Sequence, residues 1–165
     1  MTKVHARFWG SLLLAALFAL GAIAPAFAAP PTTSTVLLQG SQTLADCAGF
    51  QVIDDYDETI GVTNFFDNDG TNIETHLSIH GTDTYWQSVT GQSITMGTNF
   101  MVHIDRQAML ASSGGLQYHL MIPGLGHVLL DAGRTVYDNT GTLVFSAGPH
   151  QVATGDTAGL CAAFP

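Results

Sequence analysis

The side chains in this sequence best suited to chemistry are histidines, acids, one Tyr-Trp pair and two cysteines. Imidazole titrates near neutrality and ligates metals, so the histidines come first. His76 and His80 have the H-x-x-x-H spacing. On a helix, that spacing puts two rings on one face, close enough to share a zinc ion. The residues around them argue for a strand instead. Ile73, Thr75, Leu77 and Ile79 alternate with Asn72, Glu74, His76, Ser78 and His80, a period of two with one buried and one wet face. At about 3.3 Å per residue, His76 and His80 then sit roughly 13 Å apart, too far for one ion. A site would need a cross-strand partner such as His103 or His119, and nothing in the sequence forces one. The expectation is therefore no metal and no cofactor, with His76, His103 and His119 kept as weak ligand-contact candidates.

The acids form two clusters. Asp67, Asp69, Asn72 and Glu74 loosely match a calcium loop. An EF-hand, however, places its glycine sixth and an acid twelfth. Here Gly70 comes fourth and a strand follows at once, so a turn accounts for the same residues. Asp54, Asp55, Asp57 and Glu58 read as a solvated strand end. Acids at strand ends could face each other as glycoside-hydrolysing pairs do, but nothing selects a pair. There is no G-x-S-x-G and no H-E-x-x-H, so nucleophilic and zinc-protease signatures are absent. Tyr85 and Trp86 could stack on a sugar. Adjacent strand residues point to opposite faces, so one of the two belongs in the core.

The cysteines read differently. Cys47 and Cys161 are the only two, and neither has a basic neighbour that would activate a thiol. Outside the cytoplasm such a pair oxidises. The expected bridge places the start of the domain beside its end.

The compartment follows from the N-terminus. Lys3, His5 and Arg7 precede an apolar run over 8–24. Pro25 and the small residues of Ala26-Phe27-Ala28 come next. This is the pattern of a cleaved secretory signal, with the cut expected between Ala28 and Ala29. No cysteine follows that would make a lipoprotein, and no second apolar span follows. The mature chain is expected to be extracytoplasmic. It keeps Arg106 and Arg134 against all 13 acids, a net charge of −11, and it has no lysine. Such a field repels phosphate backbones and anionic lipid. The partner is unknown, with no nucleic acid, no membrane span after signal cleavage and a monomeric chain expected.

These residues need elements to hold them. β-branched and aromatic runs recur over 50–56, 59–66, 71–80, 84–89, 93–96, 99–105, 116–122, 127–131, 134–137 and 142–145, separated by turn residues. Asp67-Asn68-Asp69-Gly70 and Asp138-Asn139-Thr140-Gly141 read as hairpin turns. Residues 106–111 are the one place with a possible helical turn. The expected fold is all-β: a single antiparallel β-barrel or β-sandwich of roughly 8–11 short strands, closed by one disulfide. Along the chain this gives a signal over 1–28, an extended leader and first strand over 29–45, and one β domain over 46–165.

Four segments carry a resemblance: CAGFQV (47–52), TNFFDNDGT (63–71), DAGRTVYDNTGTLVFSAGPHQV (131–152) and GLCAAFP (159–165). Together they resemble a functionally uncharacterised family of small exported bacterial β-domain proteins. The resemblance implies a β-fold with paired terminal cysteines and carries over no catalytic residue. The chain thus reads as an exported, non-enzymatic β-domain, a binding or cell-envelope-associated module. The alternatives are a small secreted hydrolase and a lipocalin-like carrier of an apolar ligand. A carrier needs an open apolar cavity, a hydrolase needs a cleft where titratable groups converge, and a binding module needs an exposed aromatic or apolar patch.

Overall fold

The computed structural model describes residues 29–122, 124 and 126–164. The signal expected over 1–28 lies outside the described residues. The chain folds as an antiparallel meander of seven strands: β1 (Thr32–Cys47), β2 (Phe50–Phe66), β3 (Asn72–Gln87), β4 (Ser93–Asp105), β5 (Leu110–Ile122), β6 (Gly126–Asp138) and β7 (Leu143–Ala147). Each strand pairs with its neighbour in sequence. Two short helices follow, α1 (Gln151–Thr154) and α2 (Ala158–Ala163).

Turn chemistry sets the hairpins. The Asp67 carboxylate accepts the backbone N–H groups of Asp69 and Thr71 at 3.0 and 2.8 Å. Gly70 supplies the positive φ of +80°. Asp138 repeats the arrangement, accepting from Thr140 and Thr142, both at 2.9 Å. The strands are fewer and longer than expected. They run unbroken through 57–58, Gly81 and 97–98, where the sequence suggests breaks. Gly81 shows why. A Cβ there would lie 2.2 Å from the Asp57 carbonyl oxygen and 2.7 Å from the Glu58 Cα. This glycine lets two backbones close on each other and does not turn the chain. Gly81→Ala should therefore cost about 1–3 kcal/mol by overpacking. Gly61→Ala, whose Cβ would meet only ordinary contacts near 3.7 Å, should stay within about 0.5 kcal/mol. Urea titration of the two variants separates them, and equal midpoints would remove the close-approach explanation.

Other boundaries also differ from expectation. Residues 106–109 form the β4–β5 turn and not a helical turn. The Asp105 carboxylate caps it at 2.7 Å to the Ala108 N–H, and β5 runs straight through Ser112–Gly115. β1 begins at Thr32, inside the 29–45 stretch expected to hold an extended leader and the first strand, and runs on to Cys47. The C-terminal helices carry no sequence signal because the apolar AGLCAA is helical in service of packing. It buries Leu160 and Ala163, and Phe164 follows them into the core.

The core clusters at one end of the sheet. Val52, Tyr85, Leu120, Leu129, Leu160 and Phe164 are all fully buried there. Cys47 and Cys161 form a disulfide with Cα atoms 5.6 Å apart, tying the end of β1 to α2. The sheet curls far enough that the Gln42 side-chain amide on β1 donates to the Tyr118 hydroxyl on β5, at 3.2 Å. Among the described residues no ladder joins β7 to β1, so the curled sheet is not closed. No described helix is long and apolar enough to cross a membrane.

Candidate functional site

The concave face of the curled sheet holds acids where a β-domain normally holds apolar side chains. On β2, Asp54, Tyr56 and Glu58 share that face at period two. On β3, Asp83 lies opposite Tyr56, and Tyr85 lies opposite Asp54. Two irregularities bring further side chains to the same face. Gln42 is opposite Asp54, and the β1 register slips by one residue just beyond it, so that Ala45 still meets Val52. In β5 the register slips between Leu116 and Tyr118. This bulge puts Tyr118 and Leu120 on the inner face, whereas strict alternation would turn them out. The Thr98 hydroxyl holds the bulge in place by donating to the Gln117 carbonyl at 2.8 Å.

Of these, Gln42, Asp54, Tyr56, Glu58, Asp83 and Tyr118, with Leu38 and Phe100, line a cavity of about 200 Å³. Gly40 makes room for one wall. A Cβ there would fall 2.3 Å from the Tyr56 hydroxyl oxygen. Asp54 is 1 % exposed and Asp83 is 3 % exposed. The Gln42 amide donates to Asp54 Oδ2 at 3.0 Å. The other oxygen, Oδ1, is buried with no hydrogen-bond partner among the described residues. The Tyr85 hydroxyl donates weakly to Asp83 Oδ2, at 3.4 Å. Among the described residues, no lysine or arginine lines the cavity.

Three carboxylates without a cation change one another's chemistry. Burial pushes the Asp83 carboxyl up to about 7, helped by the negative charges of Asp54 and Glu58. Asp54 is raised by burial, with Asp55 adding to the shift and the Gln42 hydrogen bond opposing it. Glu58 is raised by burial and by Asp54. Burial also raises the Tyr85 and Tyr118 hydroxyls, so both stay neutral donors. The site therefore combines carboxylates, one of them exchanging its proton near neutral pH, with tyrosine hydroxyls and aromatic faces. That set can hold a cation or move a proton.

The candidates named from sequence are dispersed. Tyr85 is fully buried in the core on the concave face, with its hydroxyl on Asp83, and Trp86 is half-buried on the convex face. His76 and His103 face each other across β3 and β4 on the convex face. Their ring centroids are 4.8 Å apart. His119 lies away from them on β5, 5.2 Å from the His127 ring. Of the calcium candidates, Asp67 is occupied by its own turn, and Asp54 and Glu58 point to the face opposite Asp55 and Asp57. Gln42, Asp83 and Tyr118 were not singled out by sequence. For Gln42 and Asp83 the signal is an amide or acid on the apolar face of a strand, and for Tyr118 it is the β5 bulge, each visible only once face and register are known. No family model, curated protein or solved structure matches the chain significantly.

Proposed function

We propose that this chain is an exported β-domain that binds a small organic cation, an amine with an apolar part, in the concave cavity. The buried, unpartnered Asp54 Oδ1 carries the proposal. A buried carboxylate oxygen with no donor costs free energy that a ligand ammonium would offset by a charge-assisted hydrogen bond. Glu58 and Asp83 supply further negative charge, and the Tyr56, Tyr118 and Phe100 rings offer cation–π faces. The only group of three potential metal donors within 4.8 Å of one another among the described residues lies elsewhere. About 200 Å³ is below the roughly 300 Å³ of drug-sized pockets, so the ligand is small. Acidic walls disfavour an apolar cargo and so argue against the carrier alternative. Export rests on the signal pattern and fits a disulfide-bonded domain.

The hydrolase alternative keeps one observation on its side, an Asp83 carboxyl poised near neutrality beside other carboxylates. One experiment separates the readings. Butylammonium, choline and tyramine are screened by thermal shift and calorimetry beside neutral analogues such as butanol and 4-ethylphenol. The expected result is stabilisation by at least one ammonium and none by its neutral partner, with affinity falling at least about tenfold in Asp54→Asn. Equal responses to charged and neutral probes, or none, would overturn the proposal. Turnover of chromogenic glycosides abolished by Asp83→Asn would replace it with the hydrolase.

A further inference from the structure

On the convex face, away from the cavity, Glu74, His76 and His103 converge. His76 and His103 are direct cross-strand partners, and Glu74 sits two residues before His76 on the same face. One carboxylate oxygen, Glu74 Oε1, contacts Nε2 of both rings, with the His103 contact at 2.7 Å and the His76 contact shorter. One ligand atom from each residue, taken together, lies within 4.8 Å of the others. The His76 ring is held from the other side by Phe65 of β2, with centroids 4.9 Å apart. A long strand that placed His76 and His80 too far apart for one ion has supplied the missing partner from its neighbour.

The geometry points to a site for one borderline divalent transition-metal ion, zinc or copper(II), held by Glu74 Oε1, His76 Nε2 and His103 Nε2. Imidazole nitrogen with one carboxylate oxygen is the donor set of that class, whereas calcium takes oxygen alone. The three donors already gather around a common point, so little rearrangement is needed to exchange their shared hydrogen bonds for a metal. Three protein ligands leave a coordination position open. All three residues line a surface groove of about 370 Å³ that also contains Met101 and Arg134. The groove would admit a second ligand to the metal, and Arg134 favours an anionic one.

The test uses the disulfide-intact full chain, with zinc chloride, copper(II) chloride and calcium chloride as separate probes in calorimetry. One zinc or copper ion per chain is expected, with no calcium binding. His103→Gln, an exposed substitution whose fold is checked by circular dichroism, should weaken binding at least about tenfold, the scale seen when even an indirect metal partner is lost. His119→Gln, in the separate His119–His127 pair, should leave it unchanged. Copper(II) electron paramagnetic resonance on the unaltered chain should report two nitrogen ligands, and it requires no variant. Several weak sites, equal loss in His103→Gln and His119→Gln, or a spectrum with no nitrogen coupling would each overturn the assignment.

Discussion

Replacing Cys47 and Cys161 together by alanine is expected to lower the stability of the chain by about 4–5 kcal/mol. The bridge spans 114 residues, so its loss releases nearly the whole domain to the unfolded ensemble, where loop-closure entropy is largest. The local consequences add to this. α2 has only six residues, too few to persist without tertiary contacts. It nevertheless delivers Leu160, Ala163 and Phe164 to the core. Freed from β1, that helix can fray, exposing the apolar core around Tyr85. At the scale of a domain this size, the change corresponds to a fall of about 10–20 °C in melting temperature. Urea unfolding checks it: the midpoint should drop, and the unfolding slope should rise as the denatured chain expands. Unaltered protein with a reductant should follow the variant. A double variant that unfolds at the same urea concentration as the oxidised parent would show that the bridge does not constrain the domain.

The sequence makes legible whatever depends on neighbours along the chain. Period two over 72–80 identified β3 and its wet face, and D-N-D-G and D-N-T-G located two hairpins. Two cysteines with no activating neighbours indicated the bridge that the structure contains. What depended on partners across strands stayed hidden. Gly81 looks the same in sequence whether it turns a chain or lets Asp57 approach, so one long strand reads as two. The bulge at 116–118 reverses the face of everything after it, so Tyr118 could not be assigned to the cavity. His103 becomes a partner of His76 only through the β3–β4 register. The acids of the cavity were hidden for a further reason. Asp54 sits in the run D-D-Y-D-E, where four acids suggest solvent, yet the pleat sends alternate members in opposite directions. α2 was missed because its six residues carry neither a cap nor an amphipathic period.

Asp83 should make the domain lose stability as pH rises from 4 to 8, the reverse of the usual trend for salt-bridged acids. The sign follows from linkage. An unfolded aspartate titrates near 3.8, and the folded Asp83 titrates near 7. Between those values the folded chain holds a proton that the unfolded chain has released. The contribution is complete below 3.8 and disappears as pH passes through about 7. A shift of about three units sets a ceiling of about 4 kcal/mol, and solvent entering the cavity reduces the expected loss to about 2 kcal/mol. Asp83→Asn replaces the protonated acid with a neutral group of the same shape. It should match the parent near pH 4 and exceed its stability by about 2 kcal/mol at pH 8, the two curves separating between about pH 4 and pH 7 and running parallel above that. Denaturant unfolding at pH 4, 6 and 8 measures it, and an Asp83→Asn penalty independent of pH would show that the carboxyl is ionised throughout. The same curve bears on the cavity's ligand. An ammonium seated beside Asp54 and Asp83 stabilises the ionised acid and should draw the Asp83 proton off. Saturating amine should then flatten the parent's pH profile toward that of the variant, with the largest stabilisation at pH 8 and the smallest at pH 4.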